Sequence, residues 1–153
     1  MCKSPVLVQN QSSEKIVAIM GATGTGKSKL SIDLATYFSP SEIINSDKIQ
    51  FYRGLDILTN KMPMEERRGI PHHLIDEYDS INGELTAVYF RSLAGTKVSE
   101  IWSRNGLPIL VGGSNSFIHA FLAKSFSADP TYSLDVGTEV SAELGYDCCF
   151  LWV

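Results

Sequence analysis

The chain has 153 residues, 13 Lys+Arg against 17 Asp+Glu, a formal charge of −4 and 44% apolar residues. That apolar content excludes wholesale disorder and makes one domain the expectation, while the acidic balance gives no footprint for non-specific nucleic-acid binding. The longest uncharged apolar runs, Leu107–Val111 and Cys148–Val153, fall far short of the roughly 20 residues a bilayer needs, which argues against membrane association through a spanning helix.

Residues 1–14 read as a short disordered leader, and the domain is expected over 15–153. The leader lacks the long apolar core of a secretory signal and the arginine content of a transit peptide. Ile16–Met20 is a continuous apolar run, the pattern of a strand buried on both faces. The glycine-rich Gly21–Gly26 follows, then Lys27–Phe38, where Leu30, Leu34 and Phe38 recur at helical spacing. Pro40 stops that helix. Glu42–Asn45 reads as a second short strand ending at Ser46-Asp47, and 48–84 reads as polar and loop-rich, with a short charged helix around Met64–Arg68. Phe90, Ala94, Val98 and Ile101 form one stripe of a helix over Thr86–Ser103, which Asn105-Gly106 ends. Leu107–Val111 is a third strand, Ser114–Ala123 a helix, Ser125–Tyr146 a polar aperiodic stretch, and Cys148–Val153 a fourth buried strand.

Strand–helix alternation of this kind argues for an α/β fold, a parallel sheet flanked by helices. The final strand has no helix after it, so the fold is expected to be incomplete at its C-terminus, as in a fragment of a longer protein; a small four-stranded domain is the plainer alternative. The three cysteines, Cys2, Cys148 and Cys149, give no disulfide framework. A reducing compartment follows, read as the cytoplasm, with plastid and mitochondrion as alternatives.

Gly21-Ala22-Thr23-Gly24-Thr25-Gly26-Lys27-Ser28 matches G-x-x-x-x-G-K-[ST] between an expected strand and an expected helix. Here backbone N–H groups converge on phosphate oxygens, the helix start adds its positive dipole end, Lys27 supplies a mobile charge, and the Ser28 hydroxyl is placed for Mg²⁺. The same glycines resemble a dinucleotide-binding turn, with Asp47 about 20 residues on. Lys27-Ser28 argues against that, because such a turn wants a small residue for helix packing. A phosphate loop specifies an anion and leaves the reaction open between kinase, prenyl transferase and non-catalytic nucleotide binder. Asp47, at the end of the second strand, can bind metal or accept a proton; equally it can cap a helix starting at Lys48.

The loop, followed by Ile44-Asn45-Ser46-Asp47-Lys48-Ile49-Gln50-Phe51-Tyr52-Arg53-Gly54-Leu55-Asp56-Ile57, resembles the isopentenyltransferases, which prenylate the N6 amine of adenine. Thr59-Asn60-Lys61, Gly69-Ile70-Pro71-His72-His73-Leu74, Gly112-Gly113-Ser114-Asn115-Ser116 and Tyr146–Val153 continue the resemblance in order, so that it spans Lys15 to Val153. Within the family, Asn45–Lys48, Asn60-Lys61 and the Cys148–Val153 end are similar to the plant adenylate branch. The tRNA branch tends to carry Gly-Gly-Thr-Gly where this chain has Gly113–Ser116. The acidic charge also disfavours tRNA.

The resemblance implies a P-loop NTPase-like fold whose loop, Gly21–Ser28, holds the diphosphate of dimethylallyl diphosphate. The acceptor would be ATP, ADP or AMP, the first step towards a cytokinin. It further implies Asp47 as general base, Thr23 as a positioning hydroxyl, Lys27 on the diphosphate and Mg²⁺ on Ser28. His72-His73 lacks a third ligand at metal-binding spacing. Arg91 reads as part of a solvated helix face, with a contact to the nucleotide's phosphates as the alternative; Met62–Arg68 reads as a solvated helix face, His119 as a core-edge histidine, and Cys148-Cys149 as small buried residues.

Overall fold

A computed structural model of the chain describes residues 14–54, 57–123 and 147–153. All but one residue of the expected leader, and the polar stretch 125–146, lie outside these. The elements run β1 (Lys15–Met20), α1 (Lys27–Tyr37), β2 (Ser41–Asn45), α2 (Lys48–Phe51), β3 (His72–His73), α3 (Ala87–Ser103), β4 (Leu107–Gly112), α4 (Asn115–Leu122) and β5 (Asp147–Trp152). The sheet is wholly parallel, in the order β3-β2-β4-β1-β5. The expected α/β architecture is therefore present.

Successive residues of a strand point to opposite faces, and the core divides accordingly. Ile16, Ala18, Ile44 and Leu110 join Phe90, Ala94, Val98 and Ile101 of α3 and Phe117, Ile118 and Phe121 of α4 in one cluster. Ile19, Ile43, Ile109 and Val111 join Ile32 and Ala35 of α1 in the other. Each buried strand thus feeds both layers, which is why β1 and β4 read as unbroken apolar runs. Phe90 and Phe117 stack at 4.6 Å between ring centroids and tie α3 to α4.

The α3 stripe is buried as its spacing predicts. Thr86 caps the helix by accepting from Tyr89 N, and Asn105 adopts the left-handed conformation just beyond its end. The α1 stripe differs from expectation. Lys27, Ser31, Ile32 and Ala35 form its buried face, Leu30 and Leu34 are half-buried, and Phe38 is 51% exposed. Small residues at 31 and 35 let α1 lie close against the sheet, and Phe38 falls past the helix end.

Two further expectations are corrected, and the short charged helix expected around Met64–Arg68 is present as a 3₁₀ helix over Met64–Arg67. The sheet has five strands, because the two-residue β3, too short to show a period, pairs with β2 through Ile43 and His72. β5 is an edge strand of the described sheet with no fully buried residue: Cys148 is half-buried, while Cys149 and Trp152 are exposed. Burial pushes the Cys148 thiol up to about 12, with neighbouring Cys149 and Asp147 adding to the shift.

Because Phe90 is fully buried and stacked, Phe90→Ala should cost about 3–5 kcal/mol of stability, read as a lowered urea midpoint. The exposed Val88→Ala, two residues away, should change it by less than about 0.5 kcal/mol.

Candidate functional site

In a parallel sheet every strand delivers its carboxyl end to the same edge. β4 lies between β1 and β2, so the loop after β1 and the turn after β2 stand two strand spacings apart, about 10 Å. Between them is a cleft of about 240 Å³. Thr23, Gly24, Gly26, Lys27 and Ser28 line one side and Asn45, Asp47 and Gln50 another, with Asn60, Met62, His72 and Ile75 completing the wall.

The phosphate loop closes on itself. Ala22 O accepts from Thr25 Oγ1 at 2.8 Å and from the Lys27 ammonium. Gly26 precedes α1 with φ 91°, a left-handed conformation that a side chain would strain. Lys27 is buried at the helix start, and among the described residues its ammonium has that one carbonyl partner, which leaves two of its three N–H donors uncommitted there. Thr23 is exposed at the cleft. Gly21, Ala22 and Thr25 do not line it: Ala22 and Thr25 brace the loop from behind, and Gly21 packs against the Val153 carbonyl.

Asp47 takes the capping role, one of the two readings the sequence left open. Its Oδ1 accepts from Ile49 N at 3.1 Å and so caps α2, while the side chain also faces the cleft. Its Oδ2 makes no hydrogen bond among the described residues. Ser28 Oγ is likewise uncommitted and faces the same cleft. Ser28 Oγ is a hard oxygen donor of the kind a divalent metal ion takes.

Asn45, Gln50 and Asn60 have roles that the motif alone does not give. Asn45 Nδ2 donates to Asp47 O at 3.0 Å and to Leu74 O at 2.9 Å. Gln50 Nε2 donates to Thr59 O and Asn60 O at 3.1 and 3.2 Å, fixing that wall. Asn60 itself has φ 52°, a conformation Asn tolerates better than most residues. The one sequence signal for these positions is their place inside the quoted motifs.

Several basic residues are committed elsewhere. The buried Lys61 ammonium donates to Tyr52 O and Gly54 O, each at 2.7 Å, and pairs with Asp76. Arg91, expected on a solvated face, instead donates to the carbonyls of Ala120 and Ala123 (2.7 Å for the latter), closing the C-terminus of α4. Arg68 pairs with Asp33 at 3.0 Å. The two histidines diverge. His72 Nδ1 meets Ile70 O at 2.7 Å, and His73 Nε2 meets Glu42 Oε2 at 2.6 Å. Arg104 grips the same Glu42 in a forked contact at 2.9 Å to each oxygen.

Burial pushes the His72 imidazole below its ordinary value; the Ile70 carbonyl opposes this, and Arg67 and His73 reinforce it. Burial would raise the Glu42 carboxyl, but the hydrogen bonds and charges of His73 and Arg104 outweigh it and lower the group.

A family model described as IPP transferase matches residues 50–147. The adenylate isopentenyltransferase of Humulus lupulus is 61% identical over 137 residues, covering 88% of this chain and 41% of that protein. Adenylate isopentenyltransferase 8 of Arabidopsis thaliana, named chloroplastic, is 56% identical over 149 residues, covering 97% and 44%. A solved eukaryotic dimethylallyltransferase acting on tRNA superposes with a TM-score of 0.77 at 28% identity, over 92% of this chain and 48% of that one. The chain thus spans about two-fifths of the length of these two curated relatives. No helix among the described residues is long and apolar enough to cross a membrane.

The two shifted groups set a pH profile of stability. His72 resists protonation when folded, so below its ordinary 6.5 the unfolded chain takes the proton preferentially and stability falls. Glu42 contributes stability that is present above its ordinary 4.5 and lost as pH falls through its lowered folded value. Urea midpoints measured from pH 7 to 3 should therefore decline in two stages. His72→Gln should flatten the first and Glu42→Gln the second.

Proposed function

This chain belongs to the IPP transferase family, and from that premise we propose that it carries the donor-binding and base-bearing part of an adenylate isopentenyltransferase. The reaction is transfer of a dimethylallyl group from dimethylallyl diphosphate to the N6 amine of ATP, ADP or AMP. The observation that carries this reading is the single cleft that Lys27 and Ser28 share with Asp47. It offers a site for a departing anion on one side and a proton acceptor on the other.

In the proposed step the N6 lone pair attacks the allylic C1. The C1–O bond breaks and its electron pair leaves with the diphosphate. The amine is a weak acid at rest and a strong one as its nitrogen forms the new bond, so an ordinary carboxylate suffices to take the proton. Asp47 Oδ2 is the oxygen free to do so. The uncommitted Lys27 donors and the loop N–H groups bind the diphosphate and gain strength as charge develops on its oxygens, each worth about 3 kcal/mol. Thr23, exposed at the cleft beside Lys27, orients the reacting groups. When bound, Mg²⁺ held by Ser28 would neutralise further charge on the leaving group.

The acceptor is read as a free nucleotide on two grounds: the identity to adenylate isopentenyltransferases and the net charge of −4. The fold similarity to an enzyme acting on tRNA supports a tRNA acceptor as the second reading. A gel shift separates them, since nucleotide specificity predicts no retardation of tRNA at concentrations that saturate with AMP. The compartment is read as the cytoplasm, with a plastid or a mitochondrion as the alternatives that relatives named chloroplastic and mitochondrial support; imaging a fluorescent fusion distinguishes them.

Donor binding and turnover test separate residues. Lys27→Ala should weaken dimethylallyl diphosphate binding by roughly 100-fold or more in calorimetry. Asp47→Asn should leave donor affinity within about threefold and lower kcat by roughly 10²–10⁴. An Asp47→Asn variant with normal turnover removes Asp47 from the mechanism.

A further inference from the structure

We infer that Ser114, with Asn45, is a positioning residue for Asp47: it holds the backbone of 46–49 in the path that commits one Asp47 oxygen and leaves the other facing the cleft. The inference rests on the reading of Asp47 as the base.

Each of the four backbone N–H groups from Ser46 to Ile49 has its own acceptor. Ser46 N donates to Val111 O at 2.8 Å, the last rung between β2 and β4. Asp47 N donates to Asn45 Oδ1 at 3.0 Å, Lys48 N to Ser114 Oγ at 2.9 Å, and Ile49 N to Asp47 Oδ1 at 3.1 Å. The first N–H groups of a helix have no intrahelical partner. Asp47, as the cap of α2, reaches only the second of them. The first, that of Lys48, is satisfied from 66 residues away in sequence.

Ser114 holds the capping position of α4, yet its side chain makes no cap hydrogen bond to that helix. A serine there ordinarily caps its own helix. Its hydroxyl is directed to Lys48 instead. The approach is close because residue 112 is glycine. A Cβ there would lie 2.5 Å from the Ser46 carbonyl carbon and 2.6 Å from Asp47 N. The end of β4 and the start of α4 therefore form a seat for the Asp47 turn, and Asn45 closes it from β2.

The test uses the full chain, with Ser114→Ala, Ser114→Thr and Asp47→Asn as reference. Amide hydrogen exchange of Lys48 should quicken about fivefold or more in Ser114→Ala, as loss of one hydrogen bond predicts, and return towards the parent rate in Ser114→Thr. Displacement of the carboxylate should lower kcat by roughly 10- to 100-fold. The KM for dimethylallyl diphosphate should stay within about twofold, since the phosphate loop is untouched, and Ser114→Thr should restore kcat. An unchanged Lys48 exchange rate in Ser114→Ala overturns the inference. So does a matched loss in kcat and donor affinity that Ser114→Thr fails to repair. If Asp47→Asn is inactive and Ser114→Ala normal, this inference alone falls. If Asp47→Asn turns over normally, the reading of the base falls with it. The exchange measurement needs no turnover, so it decides the seat even in a chain that binds donor without reacting.

Discussion

The insertion of β4 between β1 and β2 is the constraint on which the rest of the molecule depends. Both ladders are parallel, so all three strands end on one edge, and the spacing between strands sets the width of the cleft. The phosphate loop leaves from β1 and Asp47 from β2, with the end of β4 as the floor between them. Val111 and Gly112 line that floor. Slip of one residue in either ladder would send every core side chain of that strand to the opposite layer, so the apolar pattern that buries the sheet also holds the two halves of the cleft in register.

Polar groups around the cleft are divided between structure and chemistry. Lys61, Arg68, Arg91 and Arg104 each hold a carbonyl or a carboxylate. Among the described residues lining the cleft, Lys27 is the permanently cationic one. The Glu42–His73–Arg104 group ties β2, β3 and the turn before β4 together. Its three members are not among the residues that line the cleft.

Legibility in the sequence followed how local each feature is. The apolar runs Ile16–Met20 and Leu107–Val111 are read as strands because burial on both faces leaves no alternation. The α3 stripe is read because four buried positions keep one helical period. On α1 the same reasoning chose Leu30, Leu34 and Phe38 over the buried Ser31, Ile32 and Ala35. Close approach to a sheet favours small residues, and hydrophobicity alone does not reveal that preference. β3 has two residues and no period to detect. Arg91 looks solvated in the sequence because its partners, Ala120 and Ala123, lie 29 and 32 residues away.

By itself the amino-acid sequence determined an α/β chain with a glycine-rich strand-to-helix loop at Gly21–Ser28 and an aspartate at the end of the next strand, because these depend on short spacing and local conformation. Tertiary structure decided that Ser114 serves α2 in place of its own helix, and that Gly112 is the point of closest approach. Those outcomes depend on distances between segments some 65 residues apart, and only the packed sheet brings such segments within reach of a hydrogen bond.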